Sequence, residues 1–588
     1  MRGWPGLGRR LAAFGDGVIR WARMPPPEWP GRRRFVIIQI DGLSHAALLR
    51  ALAHGRMPVI ARLLRRGDLR LARVPVGLPT STPAFQAGIM YGGPVDIPAF
   101  EFLDKRTGEY LWFPRPWVAA RVEAAHAAGR RGIMQGGRTY GCIFGGGAAD
   151  TVLTFAHLLR PSPLWGHIGF RARVFPFLLL GWVTLKMSAV TVLEALRWLG
   201  GALRSFSLGR SVASPKRLLI RLVISGWLRE LFTLSVTADI YAGVPALYVN
   251  FVDYDVPAHA LGPRHRAALR ALRYVDASIR DIWRVVRRVP ELAYDLFILS
   301  DHGQTPSLPF EAVAGPVPVA EAVLATFRPG SDSLVSSRGA FHEAVHPAAP
   351  PRWPLAAVWQ QHLAYLEPRT RERNAVWAGS LCVVPAGPNL NIYLTDIRGH
   401  ATVEVIEARY PGALDRLSRH PGIGFLLARG AQGAVCYYRG RALPIPPPLG
   451  PTGCPLFDRS DRALVVQGLE ALLAMPSAGD VVVYGHYTPH GCVNFLGERG
   501  SHAGPTEAEL YGFVMALPHV EFDFGAVTGP TELYRLFISY QDESETRGRM
   551  NGARDADTRD DVQHPPGPRT RRAATARPHH RRAGGSGC

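Results

Sequence analysis

Residues 35–41 read FVIIQID, an apolar run that ends at a carboxylate. Two later runs have the same form: PALYVNFV (residues 245–252) ends shortly before Asp255, and DLFILS (residues 295–300) directly precedes Asp301. Short apolar runs rich in β-branched residues are typical of buried strands in a parallel sheet. In an open α/β sheet, functional groups collect at the carboxyl ends of the strands. The three runs therefore predict an α/β fold whose carboxylates meet at one sheet edge.

Imidazole and hydroxyl groups accompany these carboxylates. DVPAHALGP carries His259, SDHG carries His302, GSHAG carries His502 and PTSTP carries Thr82. Each residue has an ordinary alternative, and Asp41 taken alone is more typical of a helix N-cap. Together, oxygen and imidazole ligands with one hydroxyl are what two zinc-like ions need to activate a nucleophile. Their joint occurrence in this order favours a hydrolase of phosphate esters.

The order of these motifs resembles the type I phosphodiesterase/nucleotide pyrophosphatase branch of the alkaline phosphatase superfamily. That branch has an aspartate after the first strand, a PT-x-T or S-x-TP loop, D-x-x-x-H-x-x-GP, SDHG and a late G-x-HG. Here these motifs stand as Asp41, PTSTP, DVPAHALGP, SDHG and GSHAG. The resemblance covers most of residues 34–540. It excludes the apolar and basic stretch, and it implies an alkaline-phosphatase-like core with a mostly parallel sheet between helices. The pattern of the remaining segments adds a helical insertion and a small α/β subdomain to this core.

The resemblance also implies residue roles. Thr82, rather than Thr80 or Ser81, is the implied nucleophile because the family's nucleophile directly precedes the proline step. The implied reaction is attack of a metal-activated threonine on phosphorus, followed by hydrolysis of a phosphothreonine intermediate. The ligands that it implies for two divalent ions, expected to be Zn²⁺, are Asp41, Thr82, Asp301 and His302 for one ion and Asp255, His259 and His502 for the other.

Two departures from the family pattern bear on the substrate. The stretch IPAFEFLDKRTG (residues 97–108) offers no asparagine to hold a phosphoryl oxygen, and Ala503 replaces the glycine that follows the late histidine. We expect phosphodiester or pyrophosphate substrates in preference to monoesters. The alternatives are a phosphomonoesterase, a phospho-head-group transferase of the same superfamily, and a non-catalytic membrane-associated binding protein. His486 and His490 are further candidates for substrate contact, although surface histidines are the more ordinary interpretation.

Composition shifts predict the division of the chain. An apolar and basic stretch interrupts the core, a second mixed segment follows it, and the C-terminal end has few large apolar residues. We expect residues 264–289 to form a helix, and DVVVYGHY (residues 480–487) and GSHAG (residues 500–504) to return to the main sheet. The predicted segments are a basic leader (1–33), a first core part with Asp41 and the nucleophile loop (34–168), a helical insertion (169–238), a second core part with metal ligands (239–314), an insertion with a small α/β subdomain (315–445), a last core part with His502 (446–540) and a disordered tail (541–588).

Charge and hydropathy limit the partners. The net charge of +21 favours anionic partners, such as a phosphate ester or an anionic membrane surface. The chain has no RRM, KH, helix-turn-helix or zinc-finger pattern, so we do not expect nucleic acid as the main partner. Residues 174–193 are mainly apolar, but the metal motifs lie on both sides of them, and a membrane crossing would have to be even in number. We expect an insertion that packs on the core or enters one leaflet.

The first residues and the cysteines indicate the compartment. No clean signal peptide precedes the first strand, which favours a cytoplasmic or peripheral membrane location. The six cysteines are scattered without a CxxC pair, so a disulfide scaffold and a thiolate metal site are not expected. The sequence leaves the oligomeric state open.

Overall fold

The computed structural model describes residues 33–159, 223–328, 374–488 and 491–542, with a few isolated positions between 184 and 200. Nearly all of the predicted leader, most of the helical insertion, and residues 543–588 of the predicted tail therefore lie outside the described residues. The division into seven segments stays a prediction.

The strands of the described residues are numbered in chain order. They are β1 (Arg34–Ile40), β2 (Arg70–Pro75), β3 (Glu101–Asp104), β4 (Glu109–Trp112), β5 (Arg138–Tyr140), β6 (Asp150–Val152), β7 (Ala246–Phe251), β8 (Tyr294–Leu299), β9 (Thr305–Pro309), β10 (Val376–Ala378), β11 (Leu381–Pro385), β12 (Asn389–Leu394), β13 (Ile423–Gly430), β14 (Gly433–Tyr438), β15 (Arg441–Ile445), β16 (Val481–Gly485), β17 (Tyr487–Thr488), β18 (Gly491–Asn494), β19 (Gly500–Ser501) and β20 (Tyr511–Ala516).

The main sheet has the order β2-β20-β8-β1-β7-β5-β6. Strands β8, β1, β7, β5 and β6 are parallel, whereas β20 is antiparallel to both β8 and β2. In the central register, Ile38 of β1 pairs with Val249 of β7 and with Ile298 of β8. Strands β1, β7 and β8 are buried along their whole length, as expected for strands covered on both faces. The predicted α/β fold with a mostly parallel sheet is confirmed.

Helices cover both faces of the main sheet. Outside the isolated positions between 184 and 200, the α-helices of the described residues are His45–Ala53, Pro58–Arg65, Thr82–Tyr91, Pro116–Ala127, Arg229–Tyr241, Asp255–Leu261, Arg266–Val286, Glu311–Ala314, Val319–Phe327, Val403–Arg409, Ala413–Ser418, Arg462–Ala474, Glu507–Leu510 and 530–542.

Successive side chains of β1 enter opposite layers, as the period of a strand requires. Val36 and Ile38 pack in the layer of the long helix Arg266–Val286, and Phe35 and Ile37 pack in the layer of Thr82–Tyr91. Burying each of these side chains contributes roughly 1.5–3 kcal/mol to folding. Both helix layers thus hold the sheet edge at which the β1, β7 and β8 carboxylates emerge.

A second sheet is entirely antiparallel, in the order β10-β11-β12-β16-β13-β14-β15. The prediction that DVVVYGHY and GSHAG return to the main sheet is wrong, because β16 pairs with β12 and β13 in this second sheet. GSHAG contributes β19 to a small sheet of order β17-β18-β9-β19. A short apolar run such as VVVY is suited to any buried strand position, so its composition did not reveal its partners.

No helix among the described residues has both the length and the hydropathy that crossing a membrane requires. Most of residues 174–193, the borderline candidate, lies outside those residues. Five cysteines, all but Cys588, are described, and they are buried and not joined in disulfides.

Candidate metal centre

Three carboxylates meet at the carboxyl ends of neighbouring parallel strands. Asp41 directly follows β1, Asp301 follows β8, and Asp255 lies just beyond β7. Asp301 Oδ1 accepts a hydrogen bond from the Gly42 backbone amide at 3.3 Å. Asp41 does not cap the next helix, since Ser44 takes that role and accepts a bond from the Ala47 amide. The carboxyl group of Asp41 is therefore left to face the site.

Thr82 is the first residue of the helix Thr82–Tyr91, every residue of which is buried. Its Oγ1 lies 3.4 Å from Oδ1 of Asp41 and 3.1 Å from Nε2 of His302. The neighbouring Thr80 has a different task, because its hydroxyl donates to the Gly504 carbonyl and accepts from the Ala503 amide. Of the two threonines in PTSTP, only Thr82 places its hydroxyl beside the candidate ligands.

The segment with Asp255 and His259 is a helix, Asp255–Leu261. Residues four apart lie on one face of a helix, so the two side chains converge. Nε2 of His259 is 3.4 Å from Oδ2 of Asp255 and 3.1 Å from Nε2 of His502. Helical geometry thus brings this pair to the other candidate ligands.

In two histidines, a backbone carbonyl determines which ring nitrogen carries the hydrogen. Nδ1 of His502 lies 2.7 Å from the Thr80 carbonyl, and Nδ1 of His302 lies 3.1 Å from the Gly303 carbonyl. A carbonyl oxygen only accepts, so each Nδ1 carries the hydrogen and each Nε2 keeps its lone pair. The rings of His302 and His502 stack with centroids 3.7 Å apart. Both rings therefore present a nitrogen that can bind a metal ion.

The candidate ligands form two overlapping groups whose ligand atoms lie within 4.8 Å of one another. The first group is Asp41, Asp301 and His302, the same three side chains that the resemblance implied. The second group is Asp255, His302 and His502, in which His302 stands where His259 was expected. The structure brings all seven predicted site residues together. It also makes His302 a member of both groups.

The electrostatics of this cluster fit divalent cations. Burial, together with the charges of Asp301 and Asp255, raises the pKa of Asp41 well above its usual value, and burial raises the pKa of Asp301 to about 7. Burial also lowers the pKa of His302 to about 4 and that of His502 to about 3. Asp301 Oδ2 is buried without a hydrogen-bond partner among the described residues. Crowded carboxylates beside these two imidazoles, whose pKa values are lowered, are costly to bury unless a cation compensates them.

Three polar residues that the sequence analysis did not identify contact the side chains of candidate ligands. Asn250 Nδ2 donates to Oδ2 of Asp41 at 2.7 Å, and Gln304 Nε2 donates to Oδ1 of Asp255. Glu498 Oε1 lies 3.3 Å from Nδ1 of His259. Asn250 left one signal, an amide inside the apolar run PALYVNFV. Gln304 and Glu498 left none, because polar residues are ordinary in loops.

The two further histidine candidates have different outcomes. His486 lines a cavity of about 500 Å³ together with Phe425, Tyr438 and Tyr487. Substrate contact stays the less ordinary interpretation of His486, beside that of a surface histidine. His490 lies outside the described residues.

Comparison with known proteins gives one family. The model of the family described as type I phosphodiesterase / nucleotide pyrophosphatase matches residues 35–377, more than half of the chain. No curated protein matches.

Two similar solved structures are of phosphonoacetate hydrolase from Sinorhizobium meliloti 1021, in complex with phosphonoformate and with phosphonoacetate. The first has a TM-score of 0.42 and 15% identity, over 87% of this chain and 96% of that chain. The second has a TM-score of 0.41 and 14% identity, over 87% and 97%. At such values the likeness indicates nothing about the substrate.

Proposed function

Because the chain belongs to the type I phosphodiesterase/nucleotide pyrophosphatase family, we propose that it cleaves phosphodiesters or pyrophosphates with Thr82 as nucleophile. Membership places the chain among metal-dependent phosphoric ester hydrolases. The observation that carries the finer proposal is the position of the Thr82 hydroxyl, 3.4 Å from Asp41 Oδ1 and 3.1 Å from His302 Nε2. A hydroxyl in that position belongs to the ligand cluster and can also reach a phosphate ester held there.

Two divalent ions, which we propose to be Zn²⁺, would supply Lewis acidity that makes a threonine hydroxyl nucleophilic at neutral pH. The residues proposed to hold them are Asp41, Thr82, Asp301 and His302 for one ion and Asp255, His259 and His502 for the other.

Thr82 is well placed for attack. It begins a ten-residue buried helix, so the positive end of the helix dipole lies beside its hydroxyl. Its Oγ1 would form a bond to phosphorus as the bond to the leaving oxygen breaks, giving a phosphothreonine. Water would then hydrolyse that ester and restore the hydroxyl. Packing of the helix against the main sheet keeps the attacking oxygen in place, which contributes to catalysis by orientation.

The charge of the chain supports an anionic substrate. With a net charge of +21, the protein attracts phosphate esters at long range. Diesters and pyrophosphates remain our first proposal, and phosphomonoesters the second. Transfer of the phosphoryl or head group to an acceptor alcohol uses the same Thr82 chemistry with a different second substrate.

An anionic membrane surface is the proposed partner. Four apolar side chains at described positions of the insertion are 49–64% exposed, namely Leu185, Val192, Leu196 and Leu199. Apolar side chains among basic residues favour the surface of an anionic bilayer. Flotation with anionic and with neutral liposomes tests this, and equal absence of binding to both would remove the proposal.

The function is tested by metal analysis and turnover on the same preparation. We expect two ions per chain and faster cleavage of an aryl phosphate diester than of the matching monoester. Chelation should abolish both activities, and adding Zn²⁺ back should restore them. A protein that binds no divalent ion and cleaves neither ester would contradict the proposal.

A further inference from the structure

A carboxylate that no motif indicated lies behind His259. Glu498, in the loop between β18 and β19, places Oε1 3.3 Å from Nδ1 of His259. The other ring nitrogen, Nε2, faces Asp255 Oδ2 at 3.4 Å and His502 Nε2 at 3.1 Å. One nitrogen of the ring therefore faces Glu498, and the other faces the candidate ligands.

We infer that Glu498 is a positioning residue that holds the His259 ring with Nε2 directed at a metal ion. The inference rests on the proposed function, since it concerns the same metal centre. In this structure the contact has the distance of an ion pair but not the geometry of a hydrogen bond. A carboxylate beside Nδ1 nevertheless favours the form of His259 with hydrogen on that nitrogen, because a carboxylate only accepts. The Nε2 lone pair is then free for a metal ion. A carboxylate behind a ligating histidine also makes the ring a better donor.

Glu498 is itself held in place. Its Oε2 accepts from Asn494 Nδ2 at 3.0 Å and from Ser501 Oγ at 3.5 Å. Its backbone carbonyl accepts from the Ser307 hydroxyl at 2.8 Å. The side chain of Glu498 thus links β18 and β19 to His259, and its backbone is tied to β9. Such fixation is what a positioning residue needs, because a freely rotating carboxylate would not determine the ring orientation.

The loop does not depend on the Glu498 side chain for its attachment. The backbone amide of Arg499 donates to the His259 carbonyl at 2.9 Å, and Asn494 Oδ1 accepts from the backbone amide of Glu498 at 3.3 Å. Replacing the carboxylate should therefore leave the loop in register. This makes substitution at position 498 a test of the carboxylate alone.

Two other roles for Glu498 predict different behaviour. As a ligand of the ion held by Nε2, it would have to approach that nitrogen, but its carboxylate lies at Nδ1. As an ordinary surface ion pair, it would contribute little to stability and nothing to metal binding. The pair is partly exposed, with 31% of the Glu498 side chain and 25% of the His259 side chain accessible. Metal affinity therefore separates a positioning role from a surface ion pair.

The experiment titrates the metal-free full chain with Zn²⁺ against a competing chelator. The proteins are wild type, Glu498→Gln, Glu498→Ala and the control Glu507→Gln, which removes an exposed carboxylate paired with Arg73. For Glu498→Ala we expect one of the two sites to weaken about 10- to 100-fold and the other to stay unchanged. Glu498→Gln should weaken the same site less, because its amide oxygen can accept from Nδ1 although it carries no charge. The control should match wild type.

The possible results distinguish failure of the inference from failure of the proposed function. Wild-type affinity at both sites in Glu498→Gln and Glu498→Ala would overturn the inference and leave the proposed function standing. Wild type that binds no Zn²⁺ would overturn both. Equal weakening of both sites in a folded variant would also contradict a role specific to His259. If Glu498→Ala does not fold, as its metal-free thermal midpoint would reveal, the near-isosteric Glu498→Gln decides the question.

Discussion

The hydroxyl oxygen of Thr82 lies 3.1 Å from Nε2 of His302, although 220 residues separate the two in sequence. Thr82 begins a helix on one face of the main sheet, and His302 follows the end of β8. Because Nδ1 of His302 donates to the Gly303 carbonyl, Nε2 can accept from the hydroxyl. The contact makes Thr82 part of the ligand cluster rather than an ordinary turn residue.

Replacing Thr82 by alanine should abolish catalysis while the fold remains. We expect turnover of an aryl phosphate diester to fall on the order of a thousandfold or more, because the attacking oxygen is lost. Thr82→Ser, which keeps a hydroxyl, should retain part of the activity. The measurement is steady-state turnover of each purified variant with both ions supplied.

The matched control for this substitution is Thr107→Ala, since Thr107 is exposed in a turn far from the ligands in sequence. It should turn over substrate like wild type, and all three variants should share one thermal midpoint. Undiminished turnover by Thr82→Ala would refute the nucleophile assignment.

Single histidine substitutions should show which rings hold which ion. His259→Ala is expected to lower the bound Zn²⁺ from two ions to one, because His259 Nε2 lies among the ligand atoms of the second group. His302→Ala should weaken both sites, because His302 belongs to both geometric groups. Metal content after exhaustive dialysis is the measurement.

The control is His54→Ala, which removes an exposed imidazole that bonds only locally to Arg50. It should leave the metal content at the wild-type level. If His259→Ala still binds two ions, then Asp255, His302 and His502 hold the second ion without His259.

Ala503→Gly should stabilise the protein. Ala503 has a φ of +119°, a backbone conformation that favours glycine, and it follows His502 at the position where the family has glycine. Glycine relieves this strain, but it loses the contact of the methyl group and gives the unfolded chain more freedom. The net effect should raise the free energy of unfolding by about 1 kcal/mol. Urea unfolding of the metal-saturated protein measures the change.

A matched control is Ala386→Gly, at another buried alanine whose φ is not positive. That change should lower the free energy of unfolding. A comparable loss in Ala503→Gly would show that the conformation at position 503 is not strained.

Glu509→Gln should flatten the pH dependence of stability. Burial raises the pKa of Glu509 from 4.5 to about 7, and hydrogen bonds from Thr305, Thr506 and the Gly504 amide offset this only in part. The folded protein thus binds this proton more tightly than the unfolded chain does. The free energy of unfolding of wild type must therefore fall as the pH rises from about 4.5 to about 7. Glu509→Gln lacks this loss. Above that window, the difference in free energy of unfolding between the variant and wild type should therefore have shifted in favour of the variant by on the order of 3 kcal/mol.

The measurement is urea unfolding of wild type and Glu509→Gln at several pH values between about 5 and 8, with both ions supplied. Glu507→Gln, which removes an exposed carboxylate, is the control and should follow the wild-type curve. Parallel curves for wild type and Glu509→Gln would show that Glu509 is ionised throughout.

Several elements could be predicted from sequence because their signals are local. The apolar runs before Asp41 and Asp301 predicted neighbouring parallel strands, and β1 and β8 are such strands. The amphipathic stretch after Pro263 predicted the helix that now spans Arg266–Val286. The placement of β16 was predicted wrongly, because the choice between two sheets depends on partners distant in sequence.

The sequence by itself determined the family, the mostly parallel core and the kinds of candidate ligand at the strand ends, since these follow from residue identity and local pattern. Only the tertiary structure decided that Asp255 and His259 share a helix face and that His302 neighbours both ligand groups. It also decided which nitrogen of His259 faces the centre. Ring orientation depends on contacts between distant segments, such as that of Glu498 with His259, and no local pattern encodes such contacts.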